Sequence, residues 1–270
     1  MDLFFILFLI FIAIMVGLAM LVLSSRVGGV FQLVEQAGAI VQTIMSGLSS
    51  LLPVLIFVLF TGMISNGNLG AILNSWKIIG IIVLLLAVFY AVCTIRIAIR
   101  KKVSPALLFK KAWPTFLICL TTASSAAAFG ANTRDAAEKF GIDKKLVEFG
   151  IPIGQVLFKP GAVIELFSLE LSFAQLYGIP ITLPWLMIGL LTNLLLSFAA
   201  PPIPGGGLMA LTIAFTQLGI PMEAMGVALA VSTIVDFPST ACCVSSWQLT
   251  MLDVADSLGM LDKETLHRIP

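Results

Sequence analysis

Charge is scarce in this 270-residue sequence: Asp, Glu, Lys and Arg make up 11% of it, against about 25% in ordinary soluble domains. With 59% hydrophobic residues beside that, a soluble globular domain is excluded and an integral membrane protein is implied. The apolar runs are long and uninterrupted instead of alternating, which argues for α-helices over a barrel. The few charges balance to a net +1, so no nucleic-acid or acidic partner is implied. Histidine is nearly missing: His267 stands alone, in the polar tail. That leaves no Ser/His pairing in the membrane, and neither an HExxH nor a paired-Asp motif occurs, so the sequence does not read as an enzyme. Cys93, Cys119, Cys242 and Cys243 fall inside apolar segments without metal-ligand spacing and read as small packing residues. No metal or other cofactor is implied.

What is there is a series of apolar segments. Residues 3–23 form a first span, preceded by Asp2 where a signal peptide would be basic. Residues 30–63 form a second, with Pro53 as a kink, and the turn 65–70 leads to a third at 78–99. The densest basic cluster follows, with Arg96, Arg100, Lys101, Lys102, Lys110 and Lys111, and the positive-inside rule makes it cytoplasmic. A second basic stretch, with Arg134, Lys139, Lys144 and Lys145, lies beyond the apolar segment 112–132. With both flanks basic and a small-residue run at 121–130, that segment is expected to be a re-entrant hairpin that enters from the cytoplasm and returns.

The next crossing, 146–176, carries Lys159-Pro160-Gly161 at its middle. After it, Pro201-Pro202-Ile203-Pro204-Gly205-Gly206-Gly207 interrupts the apolar segment 183–216. Three prolines and three glycines break a helix there, and a break at membrane depth is tolerated only where the backbone is buried in protein or lines a cavity. Neither flank is basic, so a second hairpin enters from the opposite face. The last crossing, 225–251, has Asp236-Phe237-Pro238 near its middle and is followed by a polar cytoplasmic tail. Hairpin plus interrupted helix thus occurs twice in opposite orientations, an inverted repeat. The expected units are scaffold-like helices in 1–76, a third helix and basic loop in 77–111, and a transport unit in 112–252. That unit is divided into hairpin 112–133, helix 146–177, hairpin 183–216 and helix 225–251, and the tail covers 253–270. Crossing parity puts the N-terminus outside and the C-terminus in the cytoplasm.

Lys159, Glu165, Glu170 and Asp236 are ionisable residues within apolar segments, where each charge costs at least about 2.5–3.5 kcal/mol and so calls for a partner in the protein interior. Lys159 and Asp236 sit at the two interruptions, and an ion pair between them is expected, serving either substrate and ion or only the helix contact. On one continuous helix, Glu170 shares the Lys159 face about three turns on and Glu165 does not. Glu170 reads as an outer-interface residue that needs no partner. Glu165 lies deeper and is a candidate proton carrier. Free N–H groups at hairpin helix termini suit an acidic ligand, and no charged ring supports a channel.

Together these elements resemble the dicarboxylate/amino-acid:cation symporter family, the sodium:dicarboxylate symporters that include the glutamate transporters. The serine-rich first tip of that family matches Thr122-Ala123-Ser124-Ser125-Ala126-Ala127, and its second Pro-Gly tip matches Ile203-Pro204-Gly205 and the two glycines after it. The substrate-binding aspartate falls on Asp236 and its threonine on Thr240. The resemblance therefore implies substrate contacts at Ser124, Ser125, Ile203, Pro204, Gly205, Asp236, Thr240 and Cys243, the last replacing an asparagine, and ion or proton coupling at Lys159, Gly161 and Glu165. The family's Asn-Met-Asp-Gly-Thr motif stands here as Phe158-Lys159-Pro160-Gly161-Ala162, its arginine position is Ser239, and a sodium-binding aspartate is replaced by Trp247. Sodium coupling in the family's manner is thus not expected, and uniport, exchange and proton coupling stay open. Residues 3–23 correspond to the fourth transmembrane element, so the first three would be missing. The implied protein is an all-α membrane protein of the inner or plasma membrane with an elevator-type symporter fold and a homotrimeric assembly in the lipid bilayer. It would carry a small organic acid or amino acid by secondary transport. The rival reading is a relative that does not transport, either a sensor or regulatory subunit or a piece of a split transporter.

Overall fold

The computed structural model describes residues 69–199 and 207–268, with scattered positions between 12 and 61. The chain divides into two compact units, Met1–Leu52 and Pro53–Pro270. In the first, the described positions are helical apart from Leu23; the expected spans at 3–23 and 30–63 lie largely outside the described residues. The second unit is all-helical among its described residues, with α1 (Leu69–Lys101), α2 (Pro105–Thr122), α3 (Phe129–Glu138), α4 (Lys144–Leu157), α5 (Pro160–Leu176), α6 (Leu183–Ala199), α7 (Leu208–Leu218), α8 (Met225–Ser257) and the short α9 (Lys263–His267).

Two described helices are long and apolar enough to cross a membrane, over Ser75–Lys101 and Met222–Ser257. In α1 the sequence is apolar on both faces. Ile82, Leu86, Tyr90 and Ile97 are buried, while Ile81, Leu84, Val88, Val92, Ile95 and Ile99 repeat every three or four residues on the outside. A soluble helix carries polar side chains on that outer face, so α1 has lipid as its solvent. The centre of the unit is α8, which packs against α1, α2, α4 and α5. Its 33 residues give about 50 Å of helix.

The first hairpin is α2 and α3. The helix α2 begins at Pro105, seven residues ahead of the predicted entry at 112, and stops where Ala123 adopts a left-handed conformation (φ 48°). The return arm α3 runs from Phe129 to Glu138, past the predicted end at 133. The Thr115 hydroxyl donates to Asp135 Oδ2 at 3.0 Å and ties the arms together. Lys139 adds an ion pair to Asp135 at 2.9 Å.

The outer ends of this hairpin meet at one place. Lys111, predicted to be one of a set of cytoplasmic surface charges, is 1% exposed. Its ammonium donates to the carbonyls of Lys139 (2.8 Å), Thr265 (2.8 Å) and Leu266 (2.6 Å). Three donors thus meet three acceptors, at the carbonyl ends of α3 and α9, where helix dipoles favour a cation. Because Lys111 opens the hairpin and Lys139 closes it, the chain leaves and returns to the same end of the unit. The other basic residues gather there too. Arg100 and Lys101 of α1 pair with Asp253 (2.7 and 3.1 Å), and Lys101 also pairs with Asp256 (2.7 Å).

The tail is bound to this end. Ile142 and Leu261 form an antiparallel bridge, and Asp262 N–H donates to the Gly141 carbonyl at 2.8 Å. Gly141 needs to be glycine, since its φ is +73° and a Cβ would lie 2.6 Å from the Asp262 carbonyl oxygen. Asp262 caps α9 by accepting from Glu264 and Thr265 N–H and from the Thr265 hydroxyl at 2.6 Å. These bonds, the hydroxyl foremost, hold the Asp262 carboxyl below the usual carboxylate range. A depressed carboxylate contributes stability that is present above its ordinary value of about 4 and is lost as pH falls through the lowered one. Hydrogen exchange of the tail amides, corrected for intrinsic rate, is therefore expected to accelerate on acidification below about pH 4. In Asp262→Asn that acid response is smaller, the remainder coming from the ion pair of Asp256 with Lys263 of α9 at 3.2 Å.

The interruption predicted at Lys159-Pro160-Gly161 is present, with its non-helical residues at Phe158 and Lys159. Phe158 (φ −98°, ψ 88°) ends α4, and Lys159 (φ −121°, ψ 45°) precedes Pro160 at the first position of α5. Proline excludes the helical conformation from the residue before it and is well placed at a helix start. The second predicted interruption is absent: α8 runs unbroken through Asp236-Phe237-Pro238 and on to Ser257, with Pro238 inside it. One proline removes one donor, which a helix packed on several sides absorbs; Pro160 is reinforced by the non-helical residues before it. The two long helices expected to correspond in an inverted repeat thus differ, one broken and one continuous. In the second hairpin, α6 and α7 pack on each other, and their 17 and 11 residues, about 26 and 17 Å, fall short of a ~30 Å hydrocarbon core.

Candidate functional site

A small cavity lies where α4, α5, α6 and α8 meet the first hairpin tip, lined among others by Ser125, Gln155, Lys159, Glu165, Ser197, Gly207, Ser232, Asp236, Ser239, Thr240 and Cys243. The sequence-predicted residues Ser125, Lys159, Glu165, Asp236, Thr240 and Cys243 are brought together here. Ser124 is not part of the lining: its Oγ accepts from Ala127 N–H at 3.2 Å and shapes the tip turn. Ile203, Pro204 and Gly205 lie outside the described residues; Gly207 at the end of that segment reaches the cavity.

Each wall has a local cause. On α8, Ser232, Asp236, Ser239 or Thr240, and Cys243 recur every three or four residues, so one polar stripe of a largely buried helix faces the cavity. Thr240 Oγ1 donates to Asp236 Oδ1 at 3.2 Å. On α5, Glu165 is 5% exposed and accepts from Ser232 Oγ at 2.7 Å, and it lies within electrostatic reach of Asp236. Two carboxyls and the Lys159 ammonium therefore border one small space. The expected ion pair between Lys159 and Asp236 is not among the described ion pairs, which lie near the tail and the ends of the first hairpin.

Gly161, assigned by resemblance to ion coupling, sits where α5 crosses α8. A Cβ there would meet the Ser239 carbonyl oxygen at 2.4 Å and Cys243 Sγ at 2.9 Å, so its lack of a side chain is what lets Lys159 and Glu165 approach the polar stripe. The expectation of which glutamate shares the Lys159 face is reversed, while the deeper placing of Glu165 agrees with the cavity lining. Glu165 reaches the Lys159 cavity, whereas Glu170, expected at the outer interface, is fully buried and accepts from Asn193 Nδ2 of α6 at 2.7 Å. The angular reasoning assumed one helix through Lys159. The break at Phe158 and Lys159 resets the helical phase, so Lys159 has no fixed face relative to α5.

Gln155, Ser197 and Ser232 were missed. For Ser232 a signal existed, since it stands four residues before Asp236 on the same helix face. Gln155 lines the cavity with its Nε2 buried and without a hydrogen-bond partner, a donor held available to a ligand. Nothing in its local sequence marks it.

Two positions where the resemblance places sodium ligands carry rings. Phe158 and Trp247 are in contact, with centroids 5.3 Å apart, and Trp247 Nε1 donates to the Gly150 carbonyl at 3.0 Å. The indole lies flat over Gly154, where a Cβ would be 1.8 Å from the ring. The cavity itself is about 60 Å³, well under the ~300 Å³ at the low end of ligand pockets.

An interrupted helix and helical arms around charged side chains are an arrangement that secondary transporters use at their substrate sites. The family follows from comparison: the chain matches the Sodium:dicarboxylate symporter family over residues 5–255 and belongs to it. It is 27% identical over 214 residues to the proton/sodium-glutamate symport protein of Bacillus subtilis (strain 168), covering 78% of this chain and 49% of that one. It is 24% identical over 239 residues to the L-cystine uptake protein TcyP of Bacillus anthracis, with 88% and 51% covered. Human excitatory amino acid transporter 2 is 28% identical over 133 residues, with 49% and 23% covered. The chain thus spans about half the length, or less, of these curated relatives.

Proposed function

We propose that this chain forms the substrate-handling part of a secondary transporter for a small amino acid or dicarboxylate. The observation that carries this reading is the convergence of Asp236, Lys159, Glu165, Ser125 and Gln155 on one cavity whose walls include the first hairpin tip and Gly207 of the second. In it, the Asp236 carboxylate takes the α-ammonium of an amino acid, and the Lys159 ammonium with the Gln155 amide and the Ser125 and Ser239 hydroxyls takes the carboxylate. Relatives named for glutamate and cystine support an amino-acid substrate. The small volume favours a gate, with the second hairpin lifting to admit substrate. Both hairpins entering the membrane from opposite faces, elevator movement and a homotrimer complete the proposal.

Sodium does not take the family's positions in this reading. Phe158 and Trp247 offer rings there, and the tethered Lys159 charge replaces a bound cation. Counterflow into liposomes preloaded with glutamate, aspartate or cystine is expected to proceed in sodium-free buffer. Strict sodium dependence would overturn the assignment of Lys159. Substrate-dependent thermal stabilisation with no uptake would place the chain as a binding relative that does not transport.

A further inference from the structure

Glu170 lies outside the charged cavity, at the interface of α5 and α6. Both it and Asn193 are fully buried. One hydrogen bond joins them, from Asn193 Nδ2 to Glu170 Oε2 at 2.7 Å. It leaves one oxygen over on each side, Glu170 Oε1 and Asn193 Oδ1, both buried and without a hydrogen-bond partner. A carboxylate and a carboxamide oxygen are acceptors only, so an ionised pair leaves two acceptors facing an apolar interface with no donor.

Among the described residues no ion pair includes Glu170. The arms packed nearby, α6 and α7, contain no ionisable side chain. On α5 itself the other carboxyl, Glu165, is turned to Ser232 and Asp236 of α8. The titratable groups in the middle of α1 are Tyr90, which stacks on Phe116 of α2, and Cys93, whose electrostatic partner is Arg96. The described side chain that reaches the Glu170 carboxyl with a hydrogen bond is Asn193. Gly189, one turn before Asn193, presents bare backbone, with Glu170 Oε2 only 3.3 Å from where a Cβ would stand. The carboxyl is therefore seated directly on α6.

We infer that Glu170 and Asn193 form a proton-binding site, in which the neutral carboxyl and the carboxamide exchange two hydrogen bonds and fasten α6 to α5. One proton on Oε1 removes the charge and converts a surplus acceptor into the donor that Asn193 Oδ1 lacks. The fastened arm carries Ser197, which lines the cavity one turn beyond Asn193. Loss of the proton leaves an unbalanced carboxylate in the interface and releases that arm. The site is independent of whether the chain transports.

Infrared difference spectroscopy of the reconstituted full chain at neutral pH tests the site. Wild type minus Glu170→Gln is expected to show the carbonyl band of a hydrogen-bonded, protonated carboxylic acid, and in Asn193→Leu that band moves to the frequency of a freer acid. A carboxylate band in the Glu170→Gln difference, with the acid region unchanged, would overturn the inference. If Asn193→Leu does not fold, the Glu170→Gln spectrum decides alone. For the fastening, amide exchange over residues 183–199 is expected to match wild type in Glu170→Gln, whose carboxamide can also pair reciprocally with Asn193, and to rise roughly tenfold in Glu170→Ala. Equal exchange in all three overturns it.

Discussion

Replacing Lys111 by methionine is expected to cost on the order of 3–5 kcal/mol and to free the C-terminal tail. Methionine keeps most of the apolar stem, so the effect isolates the ammonium. What remains are the carbonyls of Lys139, Thr265 and Leu266, deprived of a shared donor in a place where Lys111 admits almost no solvent. An unsatisfied buried acceptor costs about 1–3 kcal/mol, and here one substitution orphans the carbonyls of Lys139 and Leu266 and leaves that of Thr265 with only the 3.3 Å bond from Arg268 N–H. Arginine is not a remedy, because a planar fork does not fit three converging carbonyls as a tetrahedral ammonium does. The measurement is the unfolding midpoint of the purified protein together with protease cleavage between residues 258 and 268. Lys145→Met, at an exposed position, serves as the control and is expected to shift stability by less than about 0.5 kcal/mol. An unchanged midpoint in Lys111→Met would show that the tail is held by the bridge of Ile142 and Leu261 and the contact of Asp262 with Gly141 instead.

The second large effect is functional. Asp236→Asn keeps an oxygen for the Thr240 hydroxyl and the size of the side chain, yet removes the charge that faces Lys159 and Glu165 across the cavity. Binding of an α-amino acid is expected to weaken about 100-fold, or about 2.7 kcal/mol, because a buried ammonium loses its counter-charge. A dicarboxylate without an amino group has no ammonium to place there and is expected to bind the variant at least as well as wild type. Titration of both ligand types by calorimetry therefore separates the two substrate classes. Amino-acid affinity unchanged within about twofold would remove Asp236 from the proposed binding role.

Much of the arrangement was legible in the linear sequence because its signals are local. Two basic flanks around a small-residue run announced the first hairpin, and the ends of that hairpin do meet at the tail. The order Lys159-Pro160-Gly161 announced a helix break, since each of the first two positions resists helix continuation for its own stereochemical reason. Pro238 looked like the same signal and was not. A single proline in a helix held by α1, α2 and α5 is carried by its neighbours, and no local rule counts neighbours. The cavity was half legible: the costly charges Lys159, Glu165 and Asp236 pointed to it, whereas Gln155 and Ser197 are ordinary polar residues until four helices converge on them.

By itself the sequence determined the solvent, the helix break at Lys159-Pro160 and the family, since scarcity of charge, apolar length and the stereochemistry around one proline act within a few turns of one helix. Only the tertiary structure decided which buried charges meet. Lys111 found three carbonyls from distant segments, Glu170 found Asn193, and Glu165 instead of Glu170 joined Lys159. The physical reason is that a break at Phe158 frees the helical phase on either side of it, and packing around α8 then sets that phase by contacts 67 and 97 residues apart along the chain, Ser232 with Glu165 and Trp247 with Gly150.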